Sequence, residues 1–136
     1  MILIEKNLIT IEACKFLKNI AIQNENIATP FRDIHTLNLK KINLAFSNKI
    51  NNYLTNFLGI RGIIAYPELM QLTIWKQNSK HNLHYDTTRD STNLTSITYI
   101  NDDYKGGETV FDNGIVVKPE VGKTVFFDGK DYLHGV

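Results

Sequence analysis

Three side chains in this sequence have the types and spacing to hold a metal ion. His84 and Asp86 stand two apart in Leu83-His84-Tyr85-Asp86, and His134 follows 48 residues after the aspartate, in Leu133-His134-Gly135-Val136. Two imidazoles and one carboxylate are the donor set of a facial triad, which binds non-haem Fe(II) and leaves coordination positions open. Residues i and i+2 of an extended segment point to one face, so His84 and Asp86 can share an ion. The third donor must then come from a distant segment folded alongside, and His134 has the apolar neighbours of a strand residue. Alone, each piece says little: His-x-Asp arises by chance, and an isolated histidine is more often a core or surface residue than a ligand. Together they make the chain a candidate oxygenase.

Such a site needs a sheet to carry it, and the second half of the chain supplies short strand patterns. These are Met70 to Trp75, Leu94 to Ile100, Thr109 to Phe111, Ile115 to Lys118, Thr124 to Phe127 and Tyr132 to Val136. Asn113-Gly114 is a hairpin turn signal, and Pro119 and Gly122 punctuate the next turn. Many short strands joined by such turns indicate a sandwich or barrel. The first half reads as helical. Thr10 is an N-cap candidate for a helix over 11–23, with Glu12 in its first turn. After a polar stretch, Asn24 to Thr29, Pro30 marks a break. A second helix is expected over about 39–58, with Ile42, Phe46, Ile50, Tyr53, Leu54 and Phe57 as its apolar stripe and Gly59 just beyond its end. Both helices have a polar back, as scaffold helices packed on a sheet do.

Composition narrows the function classes. The 136 residues suit one domain, and 43% hydrophobic content is enough for a core. With 15 basic and 14 acidic residues, the net charge of +1 gives no reason to expect a nucleic-acid or membrane-surface partner. Cys14 is the only cysteine, so no intrachain disulfide forms, which fits a reducing compartment. It sits in an apolar helical pattern and reads as a small core residue. The N-terminal Met1-Ile2-Leu3-Ile4-Glu5-Lys6 lacks a signal-peptide pattern, and no run approaches the roughly 20 apolar residues of a membrane span. A cytoplasmic protein is the expectation. Asn93-Leu94-Thr95 matches a glycosylation sequon and is read as coincidence.

From Trp75 onward the sequence resembles the prolyl 4-hydroxylase-like branch of the Fe(II)/2-oxoglutarate-dependent dioxygenases. The resemblance rests on Leu83-His84-Tyr85-Asp86, Thr95-Ser96-Ile97-Thr98-Tyr99-Ile100-Asn101-Asp102-Asp103 and Gly106-Gly107-Glu108-Thr109-Val110-Phe111. It continues through Val117-Lys118-Pro119, Gly122-Lys123-Thr124-Val125-Phe126-Phe127 and His134-Gly135-Val136. It implies a mainly β fold with supporting N-terminal α-helices. The core would be a double-stranded β-helix of jelly-roll or cupin type. A single dioxygenase domain would have a helical scaffold over about 1–60 and a β core over about 62–136. His84, Asp86 and His134 would ligate Fe(II), with 2-oxoglutarate as co-substrate and ascorbate as an accessory reductant. Tyr99, Thr109, Phe127 and Trp75 would line the co-substrate pocket; for Tyr99 and Trp75 the alternative is an ordinary core aromatic. The implied activity is hydroxylation of a protein or peptide side chain, proline first, with succinate and CO2 as co-products.

Two departures from the family pattern bear on this reading. The family's cation for the far carboxylate of 2-oxoglutarate lies on a strand after the distal histidine, whereas this chain stops two residues after His134. A carboxylate in a partly buried pocket needs such a partner. The expectation is that the natural protein continues past Val136; Lys123 as a substitute, or impaired co-substrate binding, are the alternatives. Where many prolyl hydroxylases carry an Arg before the Tyr99 strand, this chain has Thr92, with Arg89 the nearest basic residue. That weakens the expectation for peptidyl-proline more than for iron. The competing functions are the same chemistry on a free amino acid or other small molecule, and a non-catalytic metal-binding jelly roll. Gly106-Gly107 matches no phosphate-loop fingerprint and reads as a tight bend.

Overall fold

A computed structural model describes residues 1–86 and 94–136. In chain order the elements are β1 (Ile2–Glu5), α1 (Ile11–Gln23), β2 (Thr29–Phe31), β3 (Ile34–Asn38), α2 (Leu39–Ile42), α3 (Leu44–Ile60), β4 (Gln71–Trp75), β5 (Thr95–Thr98), β6 (Thr109–Phe111), β7 (Val116–Val117), β8 (Thr124–Phe127) and β9 (His134–Gly135), with one 3-10 turn at Glu25–Ile27. The contacts divide the chain into two compact units, residues 1–14 with 80–136, and residues 15–79. Among the described residues no helix is long and apolar enough to cross a membrane.

The first unit holds two three-stranded antiparallel sheets, ordered β1-β8-β5 and β7-β6-β9. β8, Thr-Val-Phe-Phe, is central in its sheet, and all four of its residues are buried. A strand covered on both faces reads as a continuous apolar run rather than an alternation. Val125 and Phe127 join Tyr99, Phe111 and Val117 in one buried cluster, with Ile2, Ile97 and Tyr132 packed against it. Burying each large side chain contributes about 1.5–3 kcal/mol. The cluster therefore fixes how β5, β6, β7 and β8 stand to one another, and these are the strands that carry the resemblance.

The second unit is built on the antiparallel sheet β2-β3-β4. The expectation of a helical first half is corrected here, because β1, β2 and β3 all lie in it. Pro30, expected as a break, sits inside β2, which is an edge strand of its sheet. An edge strand tolerates a residue that cannot donate to the ladder. α1 has the expected range, and the Thr10 hydroxyl accepts from the Ala13 N–H at 3.1 Å, as its cap role requires. Cys14 is fully buried, and that burial raises its thiol pKa.

The expected single helix over 39–58 is two. Asn43 leaves the helical region (φ −150°, ψ 89°) and its side chain accepts from the Phe46 N–H at 3.0 Å, capping α3. Asn38 caps α2 in the same way through Lys41 N–H. An asparagine that bonds the backbone three residues on competes with helix continuation, which is why the apolar stripe runs on while the helix restarts. α3 also passes Gly59 and ends at Ile60.

Candidate metal centre

His84 and His134 face each other across an isolated antiparallel bridge, with His84 N–H to His134 O at 2.9 Å and His134 N–H to His84 O at 3.1 Å. The bridge depends on close approach: a side chain on Gly135 would run into the backbone of His81 to Leu83. β9 in turn pairs with β6, opposite Phe111, so His134 is held on the sheet that also carries Thr109. The two-residue offset then places Asp86 beside both rings.

The donor atoms converge. Asp86 Oδ1 lies 3.1 Å from His134 Nε2 and 3.4 Å from His84 Nε2, and the donor atoms of all three residues lie within 4.8 Å of one another. Two ligand atoms at right angles, each about 2.1 Å from a divalent ion, stand about 3.0 Å apart, so this spacing fits one. Each ring is oriented through its other nitrogen. His84 Nδ1 is 2.7 Å from Asn82 O and His134 Nδ1 is 3.1 Å from Tyr132 O. Donation to those carbonyls leaves both Nε2 lone pairs for an ion, the usual outer-shell arrangement of histidine ligands.

The surroundings are apolar on one side. The Phe127 and Phe111 rings lie 4.5 and 6.0 Å from that of His134, which is buried. Burial pushes the Asp86 carboxyl pKa up, but hydrogen bonds from His134 and Thr95 and the two nearby imidazoles outweigh it, and the net shift is downward. Burial pushes His134 down, while its hydrogen bond to Asp86 and that carboxylate's charge push it up, and the net shift is upward. Without an ion, Asp86 and His134 therefore favour each other's charged forms, which suits the carboxylate to ligation.

Of the other expected site residues, Tyr99 and Thr109 come together. The Tyr99 hydroxyl is 2.5 Å from Thr109 Oγ1 and donates more weakly to Val117 O at 3.3 Å. Phe127 shares the Tyr99 cluster and also touches His134, so it spans the distance between that pair and the triad. Trp75 belongs to the other unit, where it ends β4 opposite Ile34 and is partly exposed. Lys123, the alternative cation, is 8% exposed; its Nζ donates to Lys118 O at 2.8 Å and pairs with Glu120 at 3.2 Å. Arg89, Thr92 and Asn93 lie outside the described residues. Sequence reasoning gave Thr95 no task, and it missed Gly129, whose carbonyl accepts the Asp86 N–H at 2.9 Å.

No family model matches the sequence, and no curated protein does. Solved structures do match the fold. The viral collagen prolyl hydroxylase of Paramecium bursaria Chlorella virus-1, in its 2-oxoglutarate complex, superposes with a TM-score of 0.79 at 22% identity, covering 98% of this chain and 86% of that one. This chain has a prolyl 4-hydroxylase-like fold. A Pseudomonas putida prolyl-4-hydroxylase matches with a TM-score of 0.73 at 15% identity, over 99% of this chain and 83% of that one. A Trichoplax adhaerens prolyl hydroxylase, bound to a peptide fragment of the hypoxia-inducible factor oxygen degradation domain, matches with a TM-score of 0.71 at 11% identity, over 99% and 76%. At these identities the likeness is one of fold, and it bears out the expected jelly-roll architecture.

Proposed function

We propose that this chain is an Fe(II)- and 2-oxoglutarate-dependent hydroxylase acting on a protein or peptide side chain, with proline the first candidate. The observation that carries the reading is the facial set itself: one carboxylate oxygen within 3.4 Å of two imidazole nitrogens whose partner nitrogens are already committed to carbonyls. Three donors on one side of an ion leave positions for a chelating co-substrate and for O2. When bound, Fe(II) supplies the redox centre at which O2 oxidises 2-oxoglutarate to succinate and CO2 and a substrate C–H is hydroxylated. A neighbour in fold that holds 2-oxoglutarate and another that holds a peptide support the choice of co-substrate and substrate class.

The chain's own residues then divide the work. His84 and His134 bind through neutral Nε2, and Asp86 offsets part of the ion's charge. Phe127 and Phe111 keep water from one side of the distal ligand. Tyr99 and Thr109 offer hydroxyls to the far carboxylate of the co-substrate. Lys123 is a buried cation just before β8, with a carbonyl and a carboxylate as its present partners. Ascorbate would serve as a reductant in the assay.

The test is anaerobic titration of the Fe(II)-loaded protein with 2-oxoglutarate, followed by succinate release against a panel of proline peptides. A visible charge-transfer band and peptide-dependent succinate, both lost in His84→Ala and Asp86→Ala, are expected. Metal binding with no band and no succinate would reduce the protein to a metal-binding jelly roll. Thr92, standing where the resemblance expects Arg, favours one second reading: the same chemistry on a free amino acid or small molecule, seen as succinate release without any peptide.

A further inference from the structure

Asp86 turns Oδ1 toward the two imidazoles, at 3.1 and 3.4 Å. A carboxylate has a second oxygen, and a free one can swing onto the same ion and bind it with both. Doing so would fill one of the positions that the triad otherwise leaves open. Two features lie on the far side of this carboxylate. Thr95 opens β5 opposite Phe127, and its Oγ1 and the Asp86 Oδ2 both lie against the Cα of Gly129. Gly129 takes the Asp86 N–H on its carbonyl at 2.9 Å, and its Cα lies against the side chain. A methyl group on Gly129 would overlap Thr95 Oγ1 and come within 3.0 Å of Asp86 Cβ and 3.2 Å of Oδ2. Gly129 is not among the glycines with positive φ. What the position needs is room rather than backbone freedom. An ionised carboxylate only accepts hydrogen bonds, so the Thr95 hydroxyl must donate to it.

We propose that Thr95, seated against the bare Cα of Gly129, is a positioning residue that engages Asp86 Oδ2 and so restricts the carboxylate to single-oxygen ligation. The effect passes through Asp86 alone, and the inference rests on the reading that the triad holds a divalent ion. Thr95→Val keeps the shape and removes the donor, Thr95→Ser restores the donor, and Thr95→Cys fills the space with a weak one.

The probe is Mn(II), read by water-proton relaxation, together with 2-oxoglutarate binding to the Mn(II)-loaded protein. In Thr95→Val the relaxivity of bound Mn(II) should fall by about a third, as open positions drop from three to two. Affinity for 2-oxoglutarate should fall about tenfold, a typical cost for losing an outer-shell partner. Thr95→Ser should match the wild type, and Thr95→Cys should lie between; the Cys and Ser pair carries the test should Thr95→Val not fold. Wild-type relaxivity and 2-oxoglutarate affinity in both Val and Cys variants would overturn the proposal while leaving the triad reading intact. Mn(II) binding by the wild type that is indifferent to His84→Ala would overturn both.

Discussion

The two ends of the site meet their polar needs differently. At the metal end, His84, Asp86 and His134 turn Nε2, Oδ1 and Nε2 toward one another, and every other polar atom of the two rings is tied to a main-chain carbonyl. At the far end, Tyr99 and Thr109 satisfy each other, with Val117 O as a second acceptor. The first set has donor atoms directed at a common point, an arrangement that a cation completes. The second is already closed and must open, or exchange one hydrogen bond for another, to take a ligand. Loss of a triad residue should therefore appear first in metal binding, and loss of a far-end hydroxyl first in co-substrate affinity.

Phe127→Ala should break this contrast with the largest effect, because Phe127 belongs to both ends. It is fully buried, touches His134 and packs in the Tyr99 cluster. Truncating such a ring costs about 3–5 kcal/mol. Denaturant unfolding should show that loss, and metal and co-substrate affinity should fall together. Asp86→Ala should separate the ends. Calorimetric titration should show metal affinity reduced by more than about 100-fold, beyond the usual cost of an outer-shell change. The near-ultraviolet signal of the buried Tyr99 should stay as it is.

The metal end was legible in the sequence because its function lies in side-chain type. His84, Asp86 and His134 are donors at a recognisable spacing, and a two-residue offset in an extended segment has one geometric meaning. What orients them was not legible. Asn82 O and Tyr132 O are main-chain atoms that any residue would supply. Gly129 is one of eight glycines, and only the fold shows that this one lies against Asp86. Thr95 looked like any threonine in a strand. The elements divide the same way. Thr109–Phe111 and Thr124–Phe127 have the expected ends because apolar runs between turn signals set both. β3 escaped notice because its buried residues, Ile34 and Leu37, stand three apart, which is a helical rather than an alternating spacing. β1 escaped because its apolar stretch is short and its partner, β8, lies at the other end of the chain.

Tyr99→Phe sharpens the comparison from the far side. Removing the hydroxyl leaves Thr109 able to turn toward other acceptors, so stability should fall by only about 1 kcal/mol, the net worth of a typical hydrogen bond. Metal affinity should be unchanged. Affinity of the metal-loaded protein for 2-oxoglutarate should drop several-fold, whereas a 2-oxo acid without the far carboxylate should bind both proteins equally. Equal losses for both acids would place the Tyr99 hydroxyl away from that carboxylate.

The smallest effect is a pH dependence, and it has opposite signs with and without metal. In the metal-free protein the Asp86 pKa is depressed, so its contribution to stability is present above the ordinary carboxyl value of 3.8 and is lost as pH falls through the folded value. The His134 pKa is raised, so its contribution is present below the ordinary imidazole value of 6.5 and is lost as pH rises through the folded value. The thermal midpoint of the metal-free protein should therefore decline from mildly acidic to mildly alkaline pH, and Asp86→Asn should flatten that decline. Metal reverses the slope, because a dication must displace the proton that Asp86 holds on His134, and affinity rises as that proton becomes easier to remove. The far end adds nothing in this range: burial raises the Tyr99 pKa, so its hydroxyl stays neutral throughout. A metal affinity independent of pH between 6 and 8 would mean that the proton on His134 does not compete with the ion.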